Sequence, residues 1–581
     1  FPSVNRNIQD YVRLDPRIAQ TDKARNEISA GGQNTRFNAI RIDGVNTSDA
    51  FGLESNSLPT PKQPISMDVI DAINVSVANY DVTIGGATGA VINAVTKSGG
   101  NEFHGSVYGT YRENDWSGKN QADIRPNIFD TDETYGGTFG GPLIEDRLFF
   151  FVNYEKTTFS GVGTNFGPTG SGATNIVPIT QAQIDEVIAI SRDVWGWDPG
   201  ILHVPESLDT ISEEYAIKLD WNITDQHRAN FRYSSSDQSQ ANVVGFGNNS
   251  LALSSYLYQR DFKFDTTTAQ LFSDWTDTFS TEFKLSYRDY SAVRTPVDDR
   301  PAIGVRIGNA FLNLGTEENT QANILETETW NSYFIGNWFL GDHEVKFGVD
   351  YENNDIYNLF GRRINGVYTF NSIADYRAGR SSRYQLFAPA GGNLDNMAAI
   401  WGLDNVGLFL QDTWSVDYNL TFTYGLRIDT PSVDEEPVYN AAASTAFGFD
   451  NRNTINGKEL IQPRFGFNYT FDSDRATQLR GGLGLFQGAS ASVWLSNPYS
   501  NNGLAYTDYV FNTGITRFDP DRADQLGLFT PGAGATQSID FIDPDLAQPA
   551  VWKANLAFDH ELPWWGMVAS AEVILTSVEE G

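Results

Sequence analysis

From Glu102 onward one pattern keeps returning: apolar and polar side chains alternate, residue by residue, over short segments. Tyr215, Ile217, Leu219 and Trp221 interleave with Glu214, Ala216, Lys218 and Asp220. After a turn at Asn222–Gln226, His227, Ala229, Phe231 and Tyr233 interleave with Arg228, Asn230 and Arg232. The same alternation marks Val345/Phe347/Val349/Tyr351, Leu420/Phe422/Tyr424/Leu426/Ile428 and Phe465/Phe467/Tyr469/Phe471. Period two puts each set on its own face of a strand. Segments of roughly 8–10 residues are long enough to cross hydrocarbon as tilted strands, with one face for lipid and one for a polar interior.

The connections are as informative as the strands. Short ones hold Pro142–Arg147, Asn222–Gln226, Ser415–Asn419 and Asp472–Arg475; long ones run near 158–212, 235–262, 292–324, 355–403, 430–462 and 487–550. Loops that long are rare in compact soluble domains, whereas short turns on one side and long loops on the other are the outer-membrane barrel arrangement. Soluble sandwiches and propellers also alternate, but no blade-length repeat is visible, and aromatic residues crowd the ends of the apolar faces as in interfacial girdles. No apolar run is long enough for a transmembrane helix. The net charge of −33 argues against nucleic acid and against an anionic lipid surface, both of which need Lys and Arg. The absence of cysteine excludes disulfides and thiolate metal sites.

Residues 1–101 follow other rules. Phe37–Ile42 is strand-like and ends at the Asp43-Gly44 turn, Ser66–Ile70 suits a short helix, and Ala72–Ala78 alternates. Ala90–Val95 is an apolar run flanked by glycines, as in a strand buried on both faces. This unit holds little apolar material of its own, so it needs walls from elsewhere. A wide barrel has a lumen to fill, and barrels of about 22 strands are plugged. The expected fold is therefore a transmembrane antiparallel β-barrel, residues 102–581, with a small α/β plug in its lumen, residues 1–101, and a first barrel strand near Glu102.

Two stretches of this unit, 34–45 (NTRFNAIRIDGV) and 67–100 (MDVIDAINVSVANYDVTIGGATGAVINAVTKSGG), resemble the plug of TonB-dependent outer-membrane receptors. Residues 136–155 and 411–429 resemble barrel strands of the Oar-like subgroup, which carries a carboxypeptidase-regulatory-like sandwich before its plug. The resemblance implies an integral protein of the Gram-negative outer membrane, surrounded by lipid and lipopolysaccharide. It implies active transport driven by the inner-membrane TonB complex through plug rearrangement. It also places the TonB-contacting segment and the end of the barrel outside this sequence: about fifteen strand-like segments follow Glu102, roughly two thirds of a plugged barrel. In the family, plug loops floor the extracellular cavity, which points to Asn46, Ser48, Asp49 and Phe51, with Tyr80 from a second loop, as substrate-binding residues. Gly85, Gly86 and Gly89 allow close backbone approaches. Arg36 and Arg41 either pair with lumen-facing carboxylates or are solvated plug arginines.

Enzyme chemistry finds no footing. The five histidines, His104, His203, His227, His343 and His560, are scattered, and no GxSxG or HExxH is present. Acidic clusters at Asp130–Glu133, Asp298-Asp299 and Asp519–Asp524 have the oxygen chemistry for calcium, but without EF-hand spacing solvated loop charge is the favoured reading. Thr180–Val194 carries a capping box and an apolar stripe, Ile184, Val187 and Ile188, so a helix is predicted within a long loop. The loops mix aromatic residues with Asn, Ser and Gly, as in Trp494–Tyr509. That mixture suits a large peptide, protein or glycan better than an anionic siderophore. The alternative is an outer-membrane binding or assembly protein whose loops hold a partner protein. The sequence leaves the direction of transport open.

Overall fold

The computed structural model describes residues 6–22, 25–119, 123, 129–202, 207–512, 518–521 and 535–580. Fifteen antiparallel strands form one continuous meander, each paired with its neighbours in the sheet, from His104–Glu113 at one edge to Val568–Glu580 at the other. Among the described residues these two edge strands do not pair with each other.

The predicted alternation is the inside–outside alternation of this wall. Tyr215 and Ile217 are 44% and 43% exposed, while their neighbours Ala216 and Lys218 are 5% and 8% exposed and face inward. The strands run 10–19 residues, longer than the 8–10 expected. Alternation marks only the part that separates lipid from lumen. Backbone pairing continues beyond it, where both faces are polar and the sequence shows no period. Exposed Trp221, Trp275, Trp338, Trp414 and Trp565 sit at the short-turn ends, with His227 against Trp275 and His343 stacked on Trp414. They form the aromatic belt of one interface.

Instead of hanging free, the long connections fold together. Segments Ser250–Ala252, Ala302–Ile307, Ala310–Leu314, Val367–Phe370, Arg383–Pro389, Tyr506–Phe511 and Ala535–Thr536 make a second, seven-stranded sheet. Its core gathers Leu251, Val305, Leu312, Tyr368, Phe370, Tyr376 and Tyr384. The predicted helix forms at Gln181–Asp193, with Thr180 and Gln183 completing a capping box, and packs Ile184, Val187 and Ile188 onto that core. Period two is present in the longer of these, Ile303/Val305/Ile307 and Ala310/Leu312/Leu314, but each is too short to be read as a strand from sequence, and pairings such as Ala302–Ile307 with Val367–Phe370 join separate loops.

The small unit is a four-stranded sheet in the order Val45–Asn46, Ala39–Ile42, Val91–Thr96, Ile70–Ser76. Ala39–Ile42 and Val91–Thr96 pair in parallel, which accounts for the apolar run at Ala90–Val95. Ser66 caps a single 3-10 turn, Met67–Val69, where a short helix was expected. This unit plugs the lumen, touching inward-facing side chains of strands around the wall. Its core closes on the wall itself: Phe151 of the strand Leu148–Val162 joins Ile8, Ile28, Ile40, Leu58 and Ile92. Phe151→Ala is therefore expected to cost about 3–5 kcal/mol and to loosen the plug. Trypsin cleavage after Arg36, Lys62 or Lys97 in purified protein should rise several-fold while the barrel stays resistant.

Candidate functional site

The plug is seated by polar groups, and most of the donors come from the wall. Lys553 donates from Nζ to the carbonyls of Val77 and Gly89 at 2.7 and 2.9 Å. Arg464 donates to the carbonyls of Asp81 and Ile84, both at 2.7 Å. Lys218 reaches Thr96, Lys346 pairs with Asp81 at 3.2 Å, Arg260 pairs with Glu54, and Arg232 lies 3.4 Å from Asp43. Tyr290 donates to the Pro59 carbonyl at 2.7 Å. In the opposite sense, plug residue Arg6 pairs with Glu155 at 2.7 Å, and Arg17 lies 3.4 Å from Glu572. The parity of each strand puts these charges in the lumen; their sequence neighbours face lipid.

The seat opens into a cavity of about 300 Å³. Plug segments 36–52 and 83–86 form one side, and five successive wall strands, from Phe279–Pro296 to Leu420–Val433, form the other. The loop segment 488–494 folds in over it, donating Ser492 N to Ala50 O at 3.2 Å and Val493 N to Phe51 O at 3.0 Å. Arg427 stands on the last of these wall strands, Leu420–Val433. It binds Asp429 through two nitrogens at 2.7 and 2.8 Å and Asp350 at 3.2 Å, a buried cation matched by two carboxylates. Glycine at position 85 leaves room for it, since a Cβ there would lie 2.6 Å from the guanidinium, and Gly86 adopts φ +75°. Arg288 pairs with Glu352 at 3.1 Å, and Lys284 lies 3.6 Å from Glu282.

The residues singled out from sequence divide into two groups. Arg36, Arg41, Asn46, Ser48 and Asp49 line the cavity together. Much of their polarity is spent on the plug: Asn46 accepts from Ser48 N, Ser48 Oγ accepts from Ile40 N at 2.8 Å, and Asp49 accepts from Phe51 N and Glu54 N at 3.0 and 2.7 Å. Arg36 and Arg41 donate to the plug carbonyls of Gly52 and Gly85 at 2.9 and 2.7 Å, and among the described residues neither has a carboxylate within 4 Å. Phe51 and Tyr80 lie apart from the cavity. Phe51 is buried among Phe262, Tyr290, Trp401 and Leu495, and Tyr80 donates to Asn555 Oδ1 at 2.7 Å beside Phe486. The wall half of the cavity, Lys284, Arg288, Asp350, Glu352, Arg427 and Asp429, was not singled out from sequence; its signal is charge at inward-facing strand positions.

Among the described residues no three His, Cys, Asp or Glu side chains gather as a metal set. Asp132 of the first acidic cluster is paired with Arg112 at 2.6 Å. His203 and part of Asp519–Asp524 lie outside the described residues.

Lipid-facing strands around a polar-seated plug define the class: a plugged outer-membrane β-barrel. The chain belongs to the family described as an outer membrane beta barrel domain, whose model matches residues 95–180 and 200–572, and it is an integral protein of the Gram-negative outer membrane. Over 160 residues it is 32% identical to the TonB-dependent transporter Oar of Myxococcus xanthus, a match that covers 26% of this chain and 14% of that protein's length. The outer membrane transporter YddB from Escherichia coli aligns with 100% of this chain and 68% of its own, at TM-score 0.68 and 13% identity. A variant of the ferric enterobactin receptor PfeA from Pseudomonas aeruginosa aligns over 99% and 69%, at TM-score 0.61 and 14% identity. The siderophore receptor PirA from the same organism aligns over 98% and 71%, at TM-score 0.56 and 12% identity. The expected likeness to Oar-like, TonB-dependent receptors is borne out.

Burial pushes the Asp49 carboxyl up to about 6, against the backbone N–H groups that it accepts, and nearby Glu54 adds to the rise. An exposed aspartate loses its proton near ~4. Between these values the native loop binds more protons than the opened loop, so its stability falls as pH rises from ~4 through ~6 and is level on either side. Hydrogen exchange at the Phe51 and Glu54 amides, corrected for intrinsic rate, should show this loss of protection. Asp49→Asn should remove the pH dependence, with weaker protection at Glu54 throughout.

Proposed function

We propose that this chain is the plug and barrel portion, residues 1–101 and 102–581, of a TonB-dependent outer-membrane transporter. It moves a large substrate, a peptide, protein or glycan, through rearrangement of the plug under force from the inner-membrane TonB complex. The observation that carries this reading is the polar seat. Lys553, Arg464, Lys218 and Tyr290 hold plug oxygens by hydrogen bonds that water can replace one by one. An interface of that kind can be sheared and re-formed at lower cost than an apolar one of equal area, whose separation exposes hydrocarbon to water. The stretch shared with Oar supports the coupling to TonB. The structural relatives include siderophore receptors. The acidity of this chain favours a different cargo here, since an anionic iron chelate would approach a protein of net charge −33 against repulsion. A second reading, a surface-binding or assembly protein, draws support from the folded seven-stranded cap.

This chain has no cysteine, so Val82→Cys, made in a full-length protein with any cysteine outside residues 1–581 replaced by serine, supplies a single thiol at a buried plug–wall contact with Ile335 and Phe409. In cells making the full-length protein, maleimide labelling at position 82 should run several-fold faster with an active TonB complex than without one. Equally slow labelling in both strains would remove transport and favour the surface-binding reading.

A further inference from the structure

Between the strands Ser207–Asn222 and Phe279–Pro296 the lipid-facing side of the wall is furrowed. The centre of the furrow is a square of cross-strand neighbours: Ala229 pairs with Leu271, and Phe231 pairs with Ala269. All four point outward, by the parity that leaves Phe231 and Leu271 exposed. Alanine at two opposite corners leaves a space of about 430 Å³, and Leu219, Trp221 and Phe283 wall it in from the flanking strands. At two other small outward positions the protein closes the gap itself. A Cβ at Gly336 would lie 2.6 Å from the ring of Phe347, and one at Gly481 would lie 3.0 Å from the ring of Phe467. Over Ala229 and Ala269 the space stays open.

The height of the furrow says what fills it. Trp221, of the aromatic belt at the short-turn end, lies in one cross-strand row with Ala229, Leu271 and Phe283. Leu219, Phe231 and Ala269 form the next outward row, two residues or about 7 Å of strand farther from the belt. The apolar band of such a wall is about 25 Å tall and its short turns are periplasmic. Both rows therefore face the inner, phospholipid leaflet. An acyl chain is as apolar as the wall, so escape from water drives nothing here and residence depends on packing. A chain on a smooth wall touches protein on one side. A chain in the furrow has the alanines beneath it and the rings of Trp221, Phe231 and Phe283 beside it, and it gains dispersion contacts with each.

We propose that this furrow is a binding seat for one acyl chain of an inner-leaflet phospholipid, retained while the surrounding lipid exchanges. The volume is within the range of small-molecule sites. The furrow lies on the outer face of the wall, away from plug and apex cavity, so the assignment stands or falls apart from the transport reading.

The test uses the full-length protein in two settings. In phosphatidylethanolamine nanodiscs, a trace of phosphatidylethanolamine with a diazirine near the headgroup end of one chain is photolysed, and the adducts are mapped by peptide mass spectrometry. Adducts at Ala229 and Ala269 and their neighbours are expected to exceed several-fold those at Leu408 and Leu410, which are more exposed than Phe231 and Leu271. In native mass spectrometry after detergent extraction from outer membranes, one phospholipid per protein is expected to remain bound. The double variant Ala229→Leu/Ala269→Leu keeps an apolar lipid-facing surface and fills the furrow, so it should fold, keep its heat-modifiable mobility and lose that phospholipid at least fivefold. Adducts spread evenly over the wall, retention unchanged in the filled variant, or no retained lipid overturns the assignment. A retained lipid A molecule or a second copy of the chain in place of the phospholipid overturns it as well.

Discussion

A strand in hydrocarbon has no water to satisfy its backbone, so every N–H and C=O must find a neighbouring strand. The rest of the molecule follows from that demand. It makes the wall a sequential meander, in which each strand's partner is the one that the chain has just made or makes next. It fixes the register, because a slip by one residue would turn Lys218, Arg232 and Arg427 toward lipid and Tyr215, Phe231 and Leu426 toward the lumen. The aromatic belt at the short-turn end then sets the height of the wall in the bilayer.

A wall with a polar inner face creates a second problem, a wide lumen lined with charge. The plug answers it by presenting backbone carbonyls and a few carboxylates to inward-facing lysines and arginines. In a chain with 73 acidic and 40 basic residues, concentrating cations here is notable. A carbonyl is a neutral acceptor, so a cation on it needs no second desolvated charge. Arg427, which does take carboxylates, takes two, and the plug comes close enough to require glycine at position 85. The apolar bridges between the two parts are local: Phe151 completes the plug core, Phe51 enters a cluster formed with the wall and the inward-folded loop, and Val82 meets Ile335 and Phe409. The seat thus combines a few fixed apolar points with many exchangeable polar ones.

The long loops show how much chain lies beyond the membrane requirement. They build a sheet with its own aromatic core, and one of them reaches down to pair with the plug at Ala50 and Phe51. The apex cavity therefore has three sources: plug, wall and loop. Its lining comes from different sources, Arg41 from the plug, Arg288 and Asn405 from the wall, and Gln487 from the end of a wall strand where the covering loop begins.

Period-two alternation and the uneven loop lengths determined by themselves that this chain is a lipid-facing barrel, because lipid on one side and polar contents on the other impose that spacing on any sequence that survives there. The glycine-rich turn and the apolar run near Ala90 likewise announced a buried sheet, and the box at Thr180 and Gln183 announced a helix, since both signals are local. Asn46, Ser48 and Asp49 were legible as a polar apex loop, and they do line the cavity. Only the tertiary structure decided that Phe51 and Tyr80 pack against the wall, that Arg36 and Arg41 donate to plug carbonyls, and that the loops make a sheet. It alone brought Arg288 and Arg427 to face Arg41. These outcomes depend on pairings between residues hundreds of positions apart, and a single strand shows which side chains face inward but not which plug residue lies opposite.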